Sequence, residues 1–292
     1  MKIDSPQKRS YQQKIRRRNL VLALLLLLLI ATVIFFFCGG DENEKKSKKS
    51  ISVGASATAA AVTDAAQTIL TTTTAMTLPT EPEVLSTDSC ELAVTPVLQN
   101  PELPTGCEIT ALTMALNYAG YPVDKLTMAD QYLIRSDPYL TTFGEAFVGS
   151  PHDSTAWGCY APVIRQTAEK YIAAQGGTEL VQDLTGCSLK TLLAEVANGT
   201  PVVTWVTIGM TTNVTERYYW TTEKGEDAVF LINEHCVLLT GYDLSRNIVI
   251  VCDPLEGRME YDMDIFEDRY QRVYEQAVVI RQTTENAEAA AS

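Results

Sequence analysis

Histidine is nearly absent from this 292-residue chain, with only His152 and His235 against seven cysteines. No two cysteines stand in C-x-x-C spacing, and His152, Asp153 and Cys159 lack the helical or paired spacing of zinc ligands. A structural zinc module is therefore excluded, and no metal or other cofactor is expected. A glycine-rich phosphate loop is also missing. Basic residues are scarce beyond residue 49: the chain holds 23 Lys and Arg against 36 Asp and Glu, and the 11 basic and 4 acidic residues of 1–49 leave 12 against 32 for the rest. So acidic a surface repels nucleic acid and polyanionic cell-wall polymers. Cys90, Cys159, Cys187, Cys236 and Cys252 show no regular spacing of a disulfide-dense module, which leaves any pairing open and makes most of them core thiols.

What the chain does have begins with charge and then grease. Residues 1–19 carry seven Lys or Arg against Asp4, and residues 20–38 form an apolar run interrupted only by Thr32. Nineteen residues suffice to span a hydrocarbon core about 30 Å thick as a helix. The run ends in three phenylalanines rather than a small-residue cleavage site, so an uncleaved signal anchor is expected. The basic flank predicts a cytoplasmic N-terminus with the rest of the chain outside the cell membrane. Residues 39–91 are rich in Ala and Thr, bury too little to offset chain entropy, and predict a disordered stalk. One domain follows at 92–282, large enough for a sizeable core, and 283–292 read as a disordered tail.

The domain is organised around Gln99 and the turn Leu103-Pro104-Thr105-Gly106-Cys107-Glu108, which leads into a helical run with Ile109, Leu112 and Leu116 on one face. Thr105 and Glu108 have capping-box spacing. Cys107 then falls in the first helical turn, where the dipole and free N–H groups favour the thiolate and predict a lowered pKa. A cysteine in an apolar helix is more often a core residue, so the nucleophile reading needs a base from elsewhere.

Thr127 predicts a cap for a short helix through Leu133, Pro162 opens a helix through Ile172, and Ser188 caps one over 189–197, followed by a β-branched strand at 201–208. The long loop 136–160 between the second and third helices carries Trp157, Gly158 and Tyr160, which are candidates for a substrate-groove wall. Residues 234–242 and 247–253 are two apolar runs joined by a polar turn and predict an antiparallel hairpin. With a three-residue loop Asp243 faces Asn247, Asp253 faces Val237, and His235 is the diagonal neighbour of Asp253. A histidine with an orienting carboxylate is what a thiol nucleophile requires.

The motifs around Gln99 and Cys107, with Asn233-Glu234-His235-Cys236-Val237 and Val251-Cys252-Asp253-Pro254, resemble the bacterial C39-like cysteine peptidases over about residues 94–281. The resemblance implies an α+β papain-like fold in which an N-terminal helix bearing Cys107 packs on an antiparallel sheet bearing His235 and Asp253. It implies Cys107 as nucleophile, His235 as general base and acid, Asp253 as orienting carboxylate and Gln99 as oxyanion donor, acting on a peptide or protein substrate. Transporter-linked members show Asp-Cys-Gly at the nucleophile where this chain has Gly-Cys-Glu, so cleavage of double-glycine leaders does not carry over. A cell-wall amidase and a catalytically silent binding module of the same fold are the alternatives. The 128 residues between Cys107 and His235 and the acidic domain weigh against the amidase.

Overall fold

A computed structural model describes Leu85 and residues 87–281. The expected cytoplasmic tail, membrane anchor and C-terminal tail, and all but the end of the stalk, lie outside the described residues. Among the described residues no helix is long and apolar enough to cross a membrane.

Period-two alternation in the β-branched strands builds the sheet. Seven strands form it: β1 (Ser89–Glu91), β4 (Leu180–Asp183), β5 (Val202–Thr207), β8 (Glu234–Asp243), β9 (Ile248–Asp253), β10 (Gly257–Asp262) and β11 (Ala277–Arg281). Their order is β10-β9-β8-β5-β11-β4, with β1 paired to β8, and every pairing is antiparallel. The strand β1 falls among residues expected to belong to the stalk; Cys90 pairs with Tyr242 and packs at the edge of the core, so the domain starts earlier than residue 92.

One face of the sheet (Val203, Trp205, Cys236, Leu238, Cys252, Val278) is covered by α1 (Cys107–Tyr118) and α2 (Ala161–Ala174). The opposite face (Val202, Val206, Val237, Leu239, Val249, Val251) is covered by α3 (Leu189–Ala197) and α4 (Met263–Arg272). Adjacent strand residues point to opposite faces, so each strand supplies both cores. This is the expected arrangement of a cysteine-bearing helix on an antiparallel sheet that carries the histidine and aspartate.

Pro162 lies in the first turn of α2, and the Ser188 hydroxyl accepts the Thr191 N–H at the start of α3, both as expected. The short helix before them differs. It starts at Lys125, because the Asp124 carboxylate accepts the Leu126 and Thr127 N–H groups, and it runs into a π-turn at Met128–Tyr132. Thr127 therefore sits inside the turn that it was expected to cap. The loop 136–160 contains a two-residue parallel pairing of β2 (Arg135–Ser136) with β3 (Phe147–Val148), and it packs on a separate hairpin of β6 (Thr215–Thr221) and β7 (Asp227–Ile232).

The β8–β9 hairpin departs from its expected register at the turn and regains it at the site. Asp243 pairs with Ile248 rather than Asn247, which makes the loop one residue longer. A bulge at Thr240 then takes up the extra residue, so Leu238 faces Cys252. Continuing the ladder by one residue brings Val237 opposite Asp253, the expected register.

Candidate active site

Cys107 is the first residue of α1. The chain enters the helix through Gly106, where an added Cβ would lie 2.7 Å from the Leu103 Cβ, so only glycine fits so tight an approach. The expected capping box does not form. Thr105 instead donates its hydroxyl to the carbonyls of Pro151 and Asp153, and Glu108 is wholly buried. The Glu108 carboxylate turns inward because the first turn of α1 packs against β8 and the loop before α2. Its Oε1 accepts the Cys159 N–H at 2.8 Å and its Oε2 accepts the Cys107 thiol at 3.3 Å.

On the sheet, His235 Nε2 lies 2.7 Å from Asp253 Oδ1, and both residues are 2 % exposed. Leu255 N–H and the Tyr261 hydroxyl also donate to Asp253. Burial pushes the Asp253 carboxyl up, but the His235 hydrogen bond and charge, with the Leu255 N–H and Tyr261 bonds, outweigh it and leave the group below the usual carboxylate range. Gln99 is held beside this strand end, since its N–H donates to the carbonyl of Pro254, the residue after Asp253. Its side-chain Nε2 donates to the Pro104 carbonyl at 3.0 Å, and its buried Oε1 has no partner.

The four expected catalytic residues thus gather at the ends of α1, β8 and β9, but not in one hydrogen-bonded chain. Among the described residues no hydrogen bond joins the Cys107 thiol to His235. Strand alternation explains it: Glu234 and Cys236 face α1, whereas His235 shares its face with Val237. The thiol rests among Glu108, Glu234 and the Cys236 backbone N–H. Its pKa is raised well above the ordinary value, first by burial, then by the charges of Glu108 and Glu234, with only the Cys236 N–H opposing. The expected lowering does not occur, because a helix N-terminus contributes of order 1 kcal/mol and is outweighed by burial beside two carboxyls.

Glu234, directly before His235, was not singled out from the sequence. It is 7 % exposed, and its Oε2 is buried with no hydrogen-bond partner. Burial, and then the Glu108 charge, raise it well above the usual carboxylate range; burial likewise raises Glu108 to about 7, against the Cys159 N–H. The signal was present, since a Glu flanks both the cysteine and the histidine, but its inward orientation is a tertiary result. Cys107, Glu108 and Glu234 offer ligand-type atoms within 4.8 Å of one another. The Cys159 N–H donates to Glu108 and the Cys236 N–H lies against the Cys107 thiol, so protein donors already serve two of the three groups. His152, the other histidine, bonds the Glu102 carbonyl and Asp130 near the surface.

Of the groove candidates, Gly158 adjoins the site: a Cβ there would lie 2.4 Å from Glu108 Oε1 and 3.2 Å from Glu234 Oε1. Trp157 packs edge-on against Tyr219 and Trp220, while Tyr160 stacks on Phe230 and accepts the Leu231 N–H. These two rings fasten the loop to the β6–β7 hairpin. A cavity of about 590 Å³ lies among Tyr118, Glu195, Asn198, Pro201 and Arg281, at the far end of α1 from Cys107. All six described cysteines are free thiols.

This constellation on this sheet can be set beside known proteins. The Peptidase_C39 like family matches residues 91–278, nearly all of the described domain. The chain belongs to that family. It is 34% identical over 189 residues to the uncharacterized protein YvpB of Bacillus subtilis, covering 62% of this chain and 71% of that one. The crystal structure of a candidate C39-like peptidase from Bacillus anthracis superposes with a TM-score of 0.58 at 31% identity, covering 67% of this chain and 98% of the other.

Proposed function

We propose that this C39-like protein is a cysteine peptidase that cleaves amide bonds in a peptide or protein through a Cys107 thioester. The observation that carries the reading is the buried His235–Asp253 pair, at 2.7 Å, where β8 begins beside the helix that starts with Cys107. Asp253 engages Nε2, so Nδ1 is the ring nitrogen left to take the thiol proton. For this the Cys107 thiol must leave Glu108 and swing past the start of β8 to meet Nδ1; it then gives its proton to His235 and attacks the carbonyl carbon. The oxyanion is bound by the Cys107 backbone N–H and by the second hydrogen of the Gln99 amide, whose first is bound to Pro104. His235 returns the proton to the departing amine; water, deprotonated by His235, then opens the thioester to release the acid and the thiol.

With the apolar run 20–38 as anchor and the basic residues before it on the cytoplasmic side, the domain works outside the cell membrane. The second reading, a silent module, is favoured by the bond that holds the thiol on Glu108 rather than His235. Incubation of the purified domain with a peptide library, read by mass spectrometry, separates the two. The peptidase reading expects cleavage that Cys107→Ala and His235→Ala abolish. Equal cleavage by wild type and Cys107→Ala, or none by wild type under any condition that leaves Cys107 alkylatable, removes it.

A further inference from the structure

Two buried carboxyls beside the thiol have no role in that scheme. Glu108 is fully buried and Glu234 nearly so, and among the described residues neither forms an ion pair with Lys or Arg. Glu234 Oε2 is buried without a partner. Two anions with no paired cation cannot both persist within 4.8 Å of each other in such a place, whereas one proton on the pair leaves a single negative charge. The backbone passes close to them, because a Cβ at Gly158 would lie 2.4 Å from Glu108 Oε1, and the Cys159 N–H fixes Glu108. We propose that Glu108 and Glu234 share one proton and that the pair holds the Cys107 thiol, protonated, in the resting protein. Glu108 is then a positioning residue that keeps the nucleophile from His235. This rests on the reading of Cys107 as nucleophile, and it assigns the site a built-in restraint.

The titratable groups facing the pair agree with one remaining charge. His235 on β8 acts favourably on Glu108; the thiols of Cys236 and Cys159 and the Tyr160 hydroxyl are neutral, their own ionisation disfavoured by burial and then by the carboxyls; Asp253 on β9 is held by His235. A glutamine at 108 keeps the Oε1 bond to Cys159 and presents N–H rather than a carboxylate oxygen to sulfur, which favours the thiolate.

The test is iodoacetamide labelling of the folded domain across pH 6 to 10, with the rate at Cys107 read by peptide mapping. Glu108→Gln should raise that rate at pH 7 by about tenfold or more and move the alkylation midpoint down by at least one pH unit, because one unit is tenfold in thiolate. Glu234→Gln should shift it in the same direction. In the wild type at pH 6 to 7, infrared spectra should show a protonated-carboxyl band that is lost when both Glu108 and Glu234 are replaced by glutamine. An unchanged or slower rate in a folded Glu108→Gln overturns the proposal. If that variant does not fold, absence of the wild-type carboxyl band overturns it instead. A chelator that changes the wild-type rate would assign the cluster to a bound cation and overturn it as well. Labelling reads the thiol without turnover: faster labelling with no cleavage of any peptide keeps the restraint and removes the peptidase, while cleavage with an unchanged rate does the reverse.

Discussion

Replacing Glu108 by glutamine should change how stability depends on pH, and the size follows from the burial of its carboxyl. In the unfolded chain Glu108 titrates near 4.5, whereas in the folded protein burial raises it to about 7. The folded state therefore keeps a proton that the unfolded state has released, and stability falls as pH rises between those values. At 1.36 kcal/mol per unit over about two and a half units, the loss is ~3 kcal/mol, complete just above pH 7. The carboxylates held low, Asp253 and the exposed ion-paired ones such as Glu91 and Glu260, act in the opposite sense, gaining stability as pH rises through the acid range. Their effect is finished by about pH 5, which leaves pH 5 to 7 to Glu108 and its partner. Glutamine is nearly isosteric with the protonated acid and cannot ionise. Wild type and Glu108→Gln should therefore have similar urea midpoints at pH 4.5 to 5 and diverge towards pH 7, where the variant is more stable by ~3 kcal/mol, or roughly 6–12 °C in thermal midpoint for a domain of this size. Parallel stability curves for the two proteins from pH 5 to 7.5, or a wild type that gains stability over that window, would refute the reasoning, since neither is compatible with a carboxyl that folds protonated.

Further outcomes test the site and its setting. Asp253→Ala removes the acceptor that orients His235 Nε2 and should lower peptide turnover by on the order of a hundredfold or more while circular dichroism is unchanged. Gln99→Ala should lower turnover by a similar order, with the labelling rate of Cys107 almost unaffected, because the amide serves the oxyanion and not the thiol. Gly158→Ala drives a methyl into Glu108 Oε1 and should cost about 1–3 kcal/mol in chemical unfolding. Protease added to intact cells should release a soluble fragment of roughly 200 residues by cutting the Ala/Thr-rich segment, and protection until lysis would reverse the proposed orientation.

Much of this architecture is legible in the sequence because it depends on local rules. Proline at the first turn of α2, Ser188 before α3 and the alternation of β-branched residues each state their structure within a few residues. The positions of Cys107 and His235 follow from the same rules, since one starts a helix and the other starts a strand. What the sequence hides is which way a side chain turns when two elements meet. Thr105 and Glu108 have the spacing of a cap, yet Pro151 and Asp153 take the threonine hydroxyl while Cys159 takes the glutamate, because a loop some fifty residues downstream folds over the helix start. The pKa of Cys107 went the same way: a helix N-terminus is visible from sequence, and burial beside Glu234 is not.

The hairpin shows why the His235–Asp253 pair could be foreseen even though its turn could not. Hydrophobic alternation fixes parity, and parity is all that placing His235 and Asp253 on one face requires. The turn carries no such constraint, because Asp243, Ser245 and Asn247 are polar on either side of a one-residue slip. The longer loop would by itself have carried the slip down the ladder and moved Asp253 to the face of Cys236, away from His235. The bulge at Thr240 prevents this, with the threonine hydroxyl donating to the Ile250 carbonyl and its own carbonyl accepting the Leu92 N–H. Gly241 follows because a Cβ there would meet the Cys90 carbonyl at 2.7 Å. Thr240 and Gly241 thus act on the site from several residues away: they restore the parity that sets imidazole and carboxylate 2.7 Å apart and leaves the thiol, on the other face, to its two glutamates.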